Sequence, residues 1–402
     1  MQNAADVLCG LNKESRTVFS LIQKKGPLTK SELLLITKMK LTSLNRFMQP
    51  LEDKKLIVQV GIGESTGGRK PVVYDVNPLQ YYVIGIDISR TYTQIVISNL
   101  KMEILNQQQF TMTQSFAPEK TAKAISHIIK NMLGQLSIDR SMILGAGVGT
   151  IGPLDRKKGI ILNPKNFAAP GWVNVPIKQI LEQELQLPIV IDNGANTAVL
   201  AESLFGCGKD FENIAYFNCG IGIRTGAISG GTIVRTINDA EDAFGHMVID
   251  VDGELCSCGN YGCVEAYSSI LSITNKFMSA IKKGRTSIIS KPLETIGYID
   301  ICNAAEKKDE LARETIISAA TILGTGLANY INLLSPDLVI LSGPLVKHSE
   351  LFYEVCTQVA IKKYYLKQEN KMVFSKGGDF KDNAIAVGAA AAVVEQILNN
   401  TL

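Results

Sequence analysis

Histidine occurs only three times and tryptophan once in these 402 residues. No uninterrupted apolar run reaches the roughly 18 residues that a membrane-spanning helix needs. The opening stretch, MQNAADVLCGLNKES, lacks the basic start and apolar stretch of a signal peptide. Both absences lead to the expectation of a cytoplasmic protein, where cysteines stay reduced and clustered ones bind metal or take part in catalysis more often than they pair. A large charge of one sign is missing too, the net being +3. With 46% hydrophobic and 20% charged residues the chain is globular and not disordered. Its length is too great for one ordinary core, so two or three domains are expected.

The small net charge is unevenly placed. Residues 1 to 80 carry twelve Lys or Arg against seven Asp or Glu, a net +5, and the remainder carries 29 against 31, a net −2. A basic front on a near-neutral body suggests a polyanionic partner for the front alone. The front's pattern is helical, then hairpin-like. Val18, Leu21 and Ile22 fall at helical spacing before Gly26-Pro27 ends the run. A second short helix follows, with Thr29 or Ser31 able to cap it. A third carries Leu44, Phe47, Met48 and Leu51 on one face and Thr42, Ser43, Asn45, Arg46 and Gln49 on the other. Pro50 predicts a bend or restart in that helix. Two alternating runs around a Gly-rich basic tip then predict a β-hairpin. Three helices and a hairpin in residues 1–78 make a winged helix-turn-helix. A short helix with small polar and amide side chains suits base edges in the major groove. The residues expected at DNA are Lys40, Thr42, Ser43, Asn45, Arg46, Arg69 and Lys70, with Lys38 among the phosphate-neutralising cations.

The body, residues 79–402, alternates strands and helices, which implies α/β lobes with buried sheets. YYVIGIDISRTYTQIVISNL and NIAYFNCGIGIRTGAISGG, about 130 residues apart, repeat one plan of two apolar runs joined by a polar turn. The repetition predicts a duplicated fold of two lobes, 79–200 and 201–402, with a ligand cleft between them.

The scarce histidines and cysteines are crowded. His246, Cys256, Cys258 and Cys263 fall within eighteen positions. Three thiolates and one imidazole make a closed tetrahedral set for zinc with no site left for water, so the expected Zn2+ is structural. Gly259 and Gly262 let the loop bend back to bring Cys263 in. Cys9, Cys207, Cys219, Cys302 and Cys356 show no such spacing and are expected as small apolar fillers.

Cys256-Ser-Cys258-Gly-Asn-Tyr-Gly262-Cys263-Val-Glu265, preceded by Gly245-His246, resembles the signature of the ROK family, and STGGRKP at 65–71 is similar to the wing and linker of its repressor branch. The resemblance covers nearly the whole chain. It implies an α/β, actin-like (ribonuclease H-like) two-lobed body behind a winged helix-turn-helix, in a family of sugar kinases and sugar-responsive repressors. It also implies that His246 and Glu265 touch sugar hydroxyls, beside Asn193 and Asn166.

The family's kinases take their catalytic base from an Asn-Asp-Ala-Asn motif. Here the motif reads Asn193-Gly194-Ala195-Asn196, so the base position carries no side chain. Asp192, two residues upstream, shares a strand face with position 194, which leaves rescue conceivable. The first phosphate loop reads Asp87-Ile-Ser89-Arg90-Thr91, with serine where the family has glycine, and the second acquires Arg224. The family's Glu-x-Gly-His reads Ala243-Phe-Gly-His246. Losing two carboxylates weakens an ordinary hexose's hold by roughly 1.5–3 kcal/mol per charge-assisted bond. Trp172 is expected as a core or loop anchor, with the pocket wall as the lesser alternative. The expectation is therefore a DNA-binding regulator without catalytic residues, a repressor of carbohydrate-utilisation genes. It acts as a homodimer or tetramer on operator DNA, with a sugar or sugar derivative as effector in the cleft. The alternatives are an ATP-dependent sugar kinase and a DNA-binding scaffold with a dead pocket.

Overall fold

A computed structural model describes residues 7–8, 10–62, 70–164, 167–235, 241–365 and 372–399. Helix α1 (Lys13–Lys25) begins under Asn12, whose Oδ1 accepts the Ser15 N–H at 2.8 Å, and stops at Gly26. Strand β1 (Leu28–Thr29) leads into α2 (Lys30–Thr37). Thr29 is the residue that caps α2, in a reciprocal box with Glu32. Helix α3 (Leu41–Asp53) buries Leu44, Phe47, Met48 and Leu51 on one stripe, against α1 with its Val18, Phe19 and Ile22. Each such side chain contributes about 1.5–3 kcal/mol by leaving water. The restart expected at Pro50 does not occur, and α3 runs through to Asp53. The missing proline N–H costs only the bond to the carbonyl of Arg46, an exposed residue. Strands β2 (Ile57–Ile62) and β3 (Val72–Val76) form the expected antiparallel hairpin, and β1 completes a sheet of order β1-β3-β2. Of the Gly-rich tip, residues 63–69, Arg69 included, lie outside the described residues.

The body holds two five-stranded sheets of one plan. In the first, β4 (Tyr82–Ile88), β5 (Tyr92–Asn99) and β6 (Ile104–Thr111) form an antiparallel meander. After α4 (Pro118–Leu136), strand β7 (Ile143–Thr150) lies parallel to β4. A small hairpin, β8 (Leu154–Asp155) and β9 (Ile160–Ile161), and α5 (Ile177–Leu185) precede β10 (Ile189–Asn193), parallel to β7. The order is β10-β7-β4-β5-β6, and α6 (Gly194–Phe205) leaves β10. In the second sheet β11 (Ile214–Cys219), β12 (Ile223–Ser229) and β13 (Thr232–Ile233) repeat the meander. Helices α7 (Val264–Ser268), α8 (Ile270–Lys282), α9 (Tyr298–Glu306) and α10 (Glu310–Leu334) lead to β14 (Leu338–Ser342), parallel to β11. Then α11 (Pro344–His348) and α12 (Glu350–Lys363) lead to β15 (Val373–Lys376), parallel to β14, and α13 (Ala384–Leu398) closes the described chain. The order β13-β12-β11-β14-β15 matches the first sheet strand for strand. The two sequence stretches read as repeats are the first hairpin of each sheet. By length and composition α10 could cross a membrane, but its Leu311, Ile316, Leu323 and Leu327 lie in the second sheet's core.

The chain divides into two compact units, Met1–Thr197 with Ile385–Leu402, and Ala198–Ala384. The front clusters with the first sheet instead of standing apart, and α13 joins the first unit although it follows the second in sequence. The place of α13 has a steric cause. Gly147 of β7 has no side chain, and a Cβ there would lie 1.8 Å from the Ala389 carbonyl oxygen of α13. Backbone meets backbone, a contact only glycine allows.

Candidate functional site

His246 ends a short 3-10 turn, Glu241–His246, beside β12, and Cys263 sits at the N-cap of α7. An antiparallel bridge between Val248 and Cys263 and bonds from the Ile249 and Asp250 N–H groups to the Gly262 carbonyl (2.8 and 3.3 Å) bring these segments together. Cys256 and Cys258 occupy a tight turn closed by Cys256 N–H to Asn260 O (2.8 Å) and Gly259 N–H to Cys256 O (2.9 Å). Gly262 has φ +72°, and a Cβ on it would lie 1.5 Å from the Asp250 oxygen. Tyr267, which sequence reasoning missed, braces the loop, its hydroxyl accepting the Glu254 N–H (2.7 Å) and donating to Asp250 Oδ2 (3.1 Å). No spacing marks such a residue.

The four expected ligands converge, their donor atoms all within 4.8 Å of one another. Cys256 Sγ to His246 Nδ1 is 3.6 Å, and Cys258 Sγ to Cys263 Sγ is 3.8 Å. A tetrahedron with M–S near 2.3 Å and M–N near 2.05 Å has edges of about 3.6 and 3.8 Å. The donor set thus fits a metal ion. Burial pushes the Cys263 thiol up to about 12 and the Cys256 thiol up as well. At Cys258 burial is outweighed by hydrogen bonds from the Asn260 backbone and the neighbouring thiols, and the thiol is lowered. Three adjacent sulfurs become thiolates together only beside a cation. Nδ1 is the imidazole nitrogen turned to the sulfurs, which leaves Nε2 for another partner. Glu265 Oε2 accepts the Ile223 N–H (2.9 Å) and Oε1 accepts the Ser257 hydroxyl (3.3 Å), tying the cysteine turn to the start of β12.

Asn166 lies outside the described residues. Asn193, in the first unit, is buried, and its Oδ1 accepts the Ala195 N–H at 2.9 Å. Its Nδ2 is buried without a hydrogen-bond partner among the described residues. Gly194 is the first residue of α6. The Asp192 Oδ1 is taken by the Asn193 N–H (2.8 Å) and the Asn196 amide (3.4 Å). Asp87 Oδ2 accepts the Tyr92 hydroxyl (2.9 Å), and the Ser89 N–H closes the β4–β5 turn on the Tyr92 carbonyl. Trp172 is a core anchor, 2% exposed, stacked on Phe167 at 4.5 Å and donating to the Phe116 carbonyl at 3.0 Å.

On the front, Thr42, Asn45, Arg46 and Gln49 are exposed opposite the apolar stripe of α3, and Ser43 is half-buried. Lys40 precedes the helix without a side-chain cap, which leaves its first N–H groups open. The Lys30 ammonium donates to Asn45 Oδ1 at 2.8 Å, and the Arg46 guanidinium lies 4.9 Å from the Phe47 ring centre. Lys38 and Lys70 are exposed.

The ROK family model matches residues 83–396. The chain is 30% identical over 347 residues to the xylose repressor of Caldicellulosiruptor bescii, covering 85% of this chain and 86% of that one. Among solved structures it is similar to a ROK family transcriptional regulator described as a homolog of the E. coli MLC protein (TM-score 0.79, 25% identity), with 97% of this chain and 96% of that one covered. A ROK hexokinase from Thermus thermophilus shares the fold at TM-score 0.65 and 22% identity, and covers 79% of this chain against 99% of its own length.

Proposed function

The chain belongs to the ROK family, and on that premise we propose that it is a sugar-responsive, DNA-binding transcriptional regulator of the repressor type. The observation that carries the reading is the front, where a 13-residue helix turns Thr42, Asn45, Arg46 and Gln49 to solvent and Lys38, Lys40 and Lys70 are exposed. The front is a winged helix-turn-helix with α3 as recognition helix and the β2–β3 hairpin as wing. Asn45 reads a base edge, Thr42 and Ser43 flank it, and Lys40, Arg46, Arg69 and Lys70 hold phosphates or reach the minor groove. The body forms a homodimer or tetramer, so paired fronts meet a two-fold site. The protein works in the cytoplasm.

The Cys3His cluster holds a structural zinc through His246 Nδ1 and the sulfurs of Cys256, Cys258 and Cys263. When bound, the ion neutralises the thiolates and fixes the loop. Nδ1 on the metal leaves His246 Nε2 for a sugar hydroxyl. Glu265 keeps acceptor capacity for another. Sugar binding changes the affinity for DNA by a coupling free energy between the two sites.

The kinase reading lacks its base. Position 194 is glycine, Asp192 is bonded at the start of α6, and Asp87 is engaged by Tyr92. The decisive experiment is selection of duplexes from a random-sequence pool by the full-length protein, then footprinting. A recurrent two-fold motif is the expected result, and no enrichment would overturn the reading. Asn45→Ala should relax preference at one position of each half-site, by about 1–3 kcal/mol.

A further inference from the structure

Four polar ties between described residues join the front to the rest of the first unit. Gln23 Nε2 of α1 donates to the Leu100 carbonyl in the β5–β6 turn at 2.6 Å. Lys101 of the same turn pairs with Asp75 of β3 at 2.6 Å. In the last turns of α13, Glu395 pairs with Lys24 at 3.1 Å, and the Leu398 carbonyl accepts from Arg16 Nη1 at 3.3 Å. Three of the four are charged, and the Lys24–Glu395 side chains are about a quarter exposed, where an ion pair is weak and salt-screened. The fourth is imperfect, since Gln23 Oε1 is buried with no hydrogen-bond partner among the described residues. The Asp75 side chain is 8% exposed, so the Lys101–Asp75 pair is the firmer tie, and release falls to the partly exposed Lys24–Glu395 pair and to the Gln23 contact with its orphaned acceptor.

The structural element that is gripped also matters. Helix α13 begins at Ala384, where the chain passes back from the second unit to the first. It is held backbone-to-backbone on β7 at Gly147, so it is a stiff strut. Its 15 residues span about 22 Å. One end lies at the unit crossing, and the other holds α1, on which α3 packs.

We propose that Arg16, Gln23 and Lys24 are positioning residues for DNA binding. They set the orientation of α3 by holding α1 to the last turns of α13 and to the β5–β6 turn, and their release is the step by which the body controls the front. The proposal rests on the DNA-binding reading, and its test separates the two. Full-length wild type, Glu395→Lys, Gln23→Ala and the swap Lys24→Glu/Glu395→Lys are compared by amide hydrogen exchange. The single variants should speed exchange in α1, the β5–β6 turn and the end of α13, with the second unit unchanged, and the swap should restore wild-type exchange. Faster exchange everywhere, or no change, overturns the latch. On a duplex selected from a random pool by the wild type, Glu395→Lys and Gln23→Ala should bind 5- to 10-fold more weakly with an unchanged salt slope, because no phosphate contact is lost. Wild-type affinity in both, or a shallower slope, overturns the positioning role. Failure of the wild type to enrich any duplex sinks the DNA-binding reading, while the exchange data still decide the latch.

Discussion

A single sulfur shows how tightly the cysteine loop is determined. Cys258 is the exposed member of the set, and its thiol is lowered while those of Cys256 and Cys263 are raised. Cys258→Ser removes one ligand with little lost packing, so its effect reports the metal. We expect the full-length protein to carry one zinc per chain and the variant far less. A hundredfold loss of metal affinity is worth about 2.7 kcal/mol, or roughly 5–10 °C in the melting temperature of a unit this size. Metal analysis and thermal unfolding, with chelator on the wild type as a parallel arm, check both. A Cys258→Ser protein with wild-type zinc and stability would show that the cluster is not a metal site. The cluster was legible in sequence because all four ligands lie within eighteen positions, so chain connectivity nearly dictates their meeting. The bonds of Glu265 to Ile223, 42 positions away, and to Ser257 were not legible. They depend on where β12 starts, which no local pattern states.

At the scale of elements, α2 gives a sharp case. Its Thr29–Glu32 box uses both partners, with the Thr29 N–H and hydroxyl on Glu32 Oε2 at 2.7 Å each and the Glu32 N–H on Thr29 Oγ1 at 3.2 Å. The Thr29 backbone N–H, then its hydroxyl, holds the Glu32 carboxyl below its ordinary value. A lowered folded value means that this stabilisation is present above the unfolded pKa and is lost as the pH falls through the folded one. Thr29→Ala should cost about 1 kcal/mol, and the deficit should shrink below pH 4, read as the difference between wild-type and variant denaturant midpoints across pH. A pH-independent difference would place the effect in packing instead. The elements themselves were largely readable. The twin hairpins β4–β5 and β11–β12 share one pattern, and the apolar stripe of α3 announced its buried face. Two things were not. Pro50 signals a break by its chemistry, but a proline in the last turn of α3, where the lost bond is to the carbonyl of the exposed Arg46, costs too little to end it. Helix α13 reads as a C-terminal helix of the second half, and its place in the first unit follows from Gly147 meeting Ala389, a contact between residues 242 positions apart.

At the scale of the molecule the regulator and the kinase make opposite demands on the same chain. A kinase needs a base at position 194 and a free carboxylate at the first phosphate loop; a regulator needs only that sugar occupancy and DNA affinity be linked. Glycine at 194 removes the first, and the Tyr92 hydroxyl bonds one oxygen of Asp87 at the second, without touching the third. Incubation with ATP and a panel of neutral monosaccharides, xylose and N-acetylglucosamine among them, should therefore release no ADP above the sugar-free rate. Titration of the same panel against a selected duplex should show at least one sugar weakening binding by 5- to 150-fold, the span of a 1–3 kcal/mol coupling. Reciprocity makes the test strict, because a sugar that loosens DNA by some factor must itself be loosened by DNA to the same degree. His246→Ala should lose both the metal and the sugar response. Glu265→Gln should lower sugar affinity about tenfold while keeping zinc, because an amide oxygen still accepts from the Ile223 N–H but no longer carries charge to a hydroxyl. If Glu265→Gln instead bound sugar like the wild type, the sugar site would lie elsewhere on the chain, and the cysteine loop would be a brace for the fold alone.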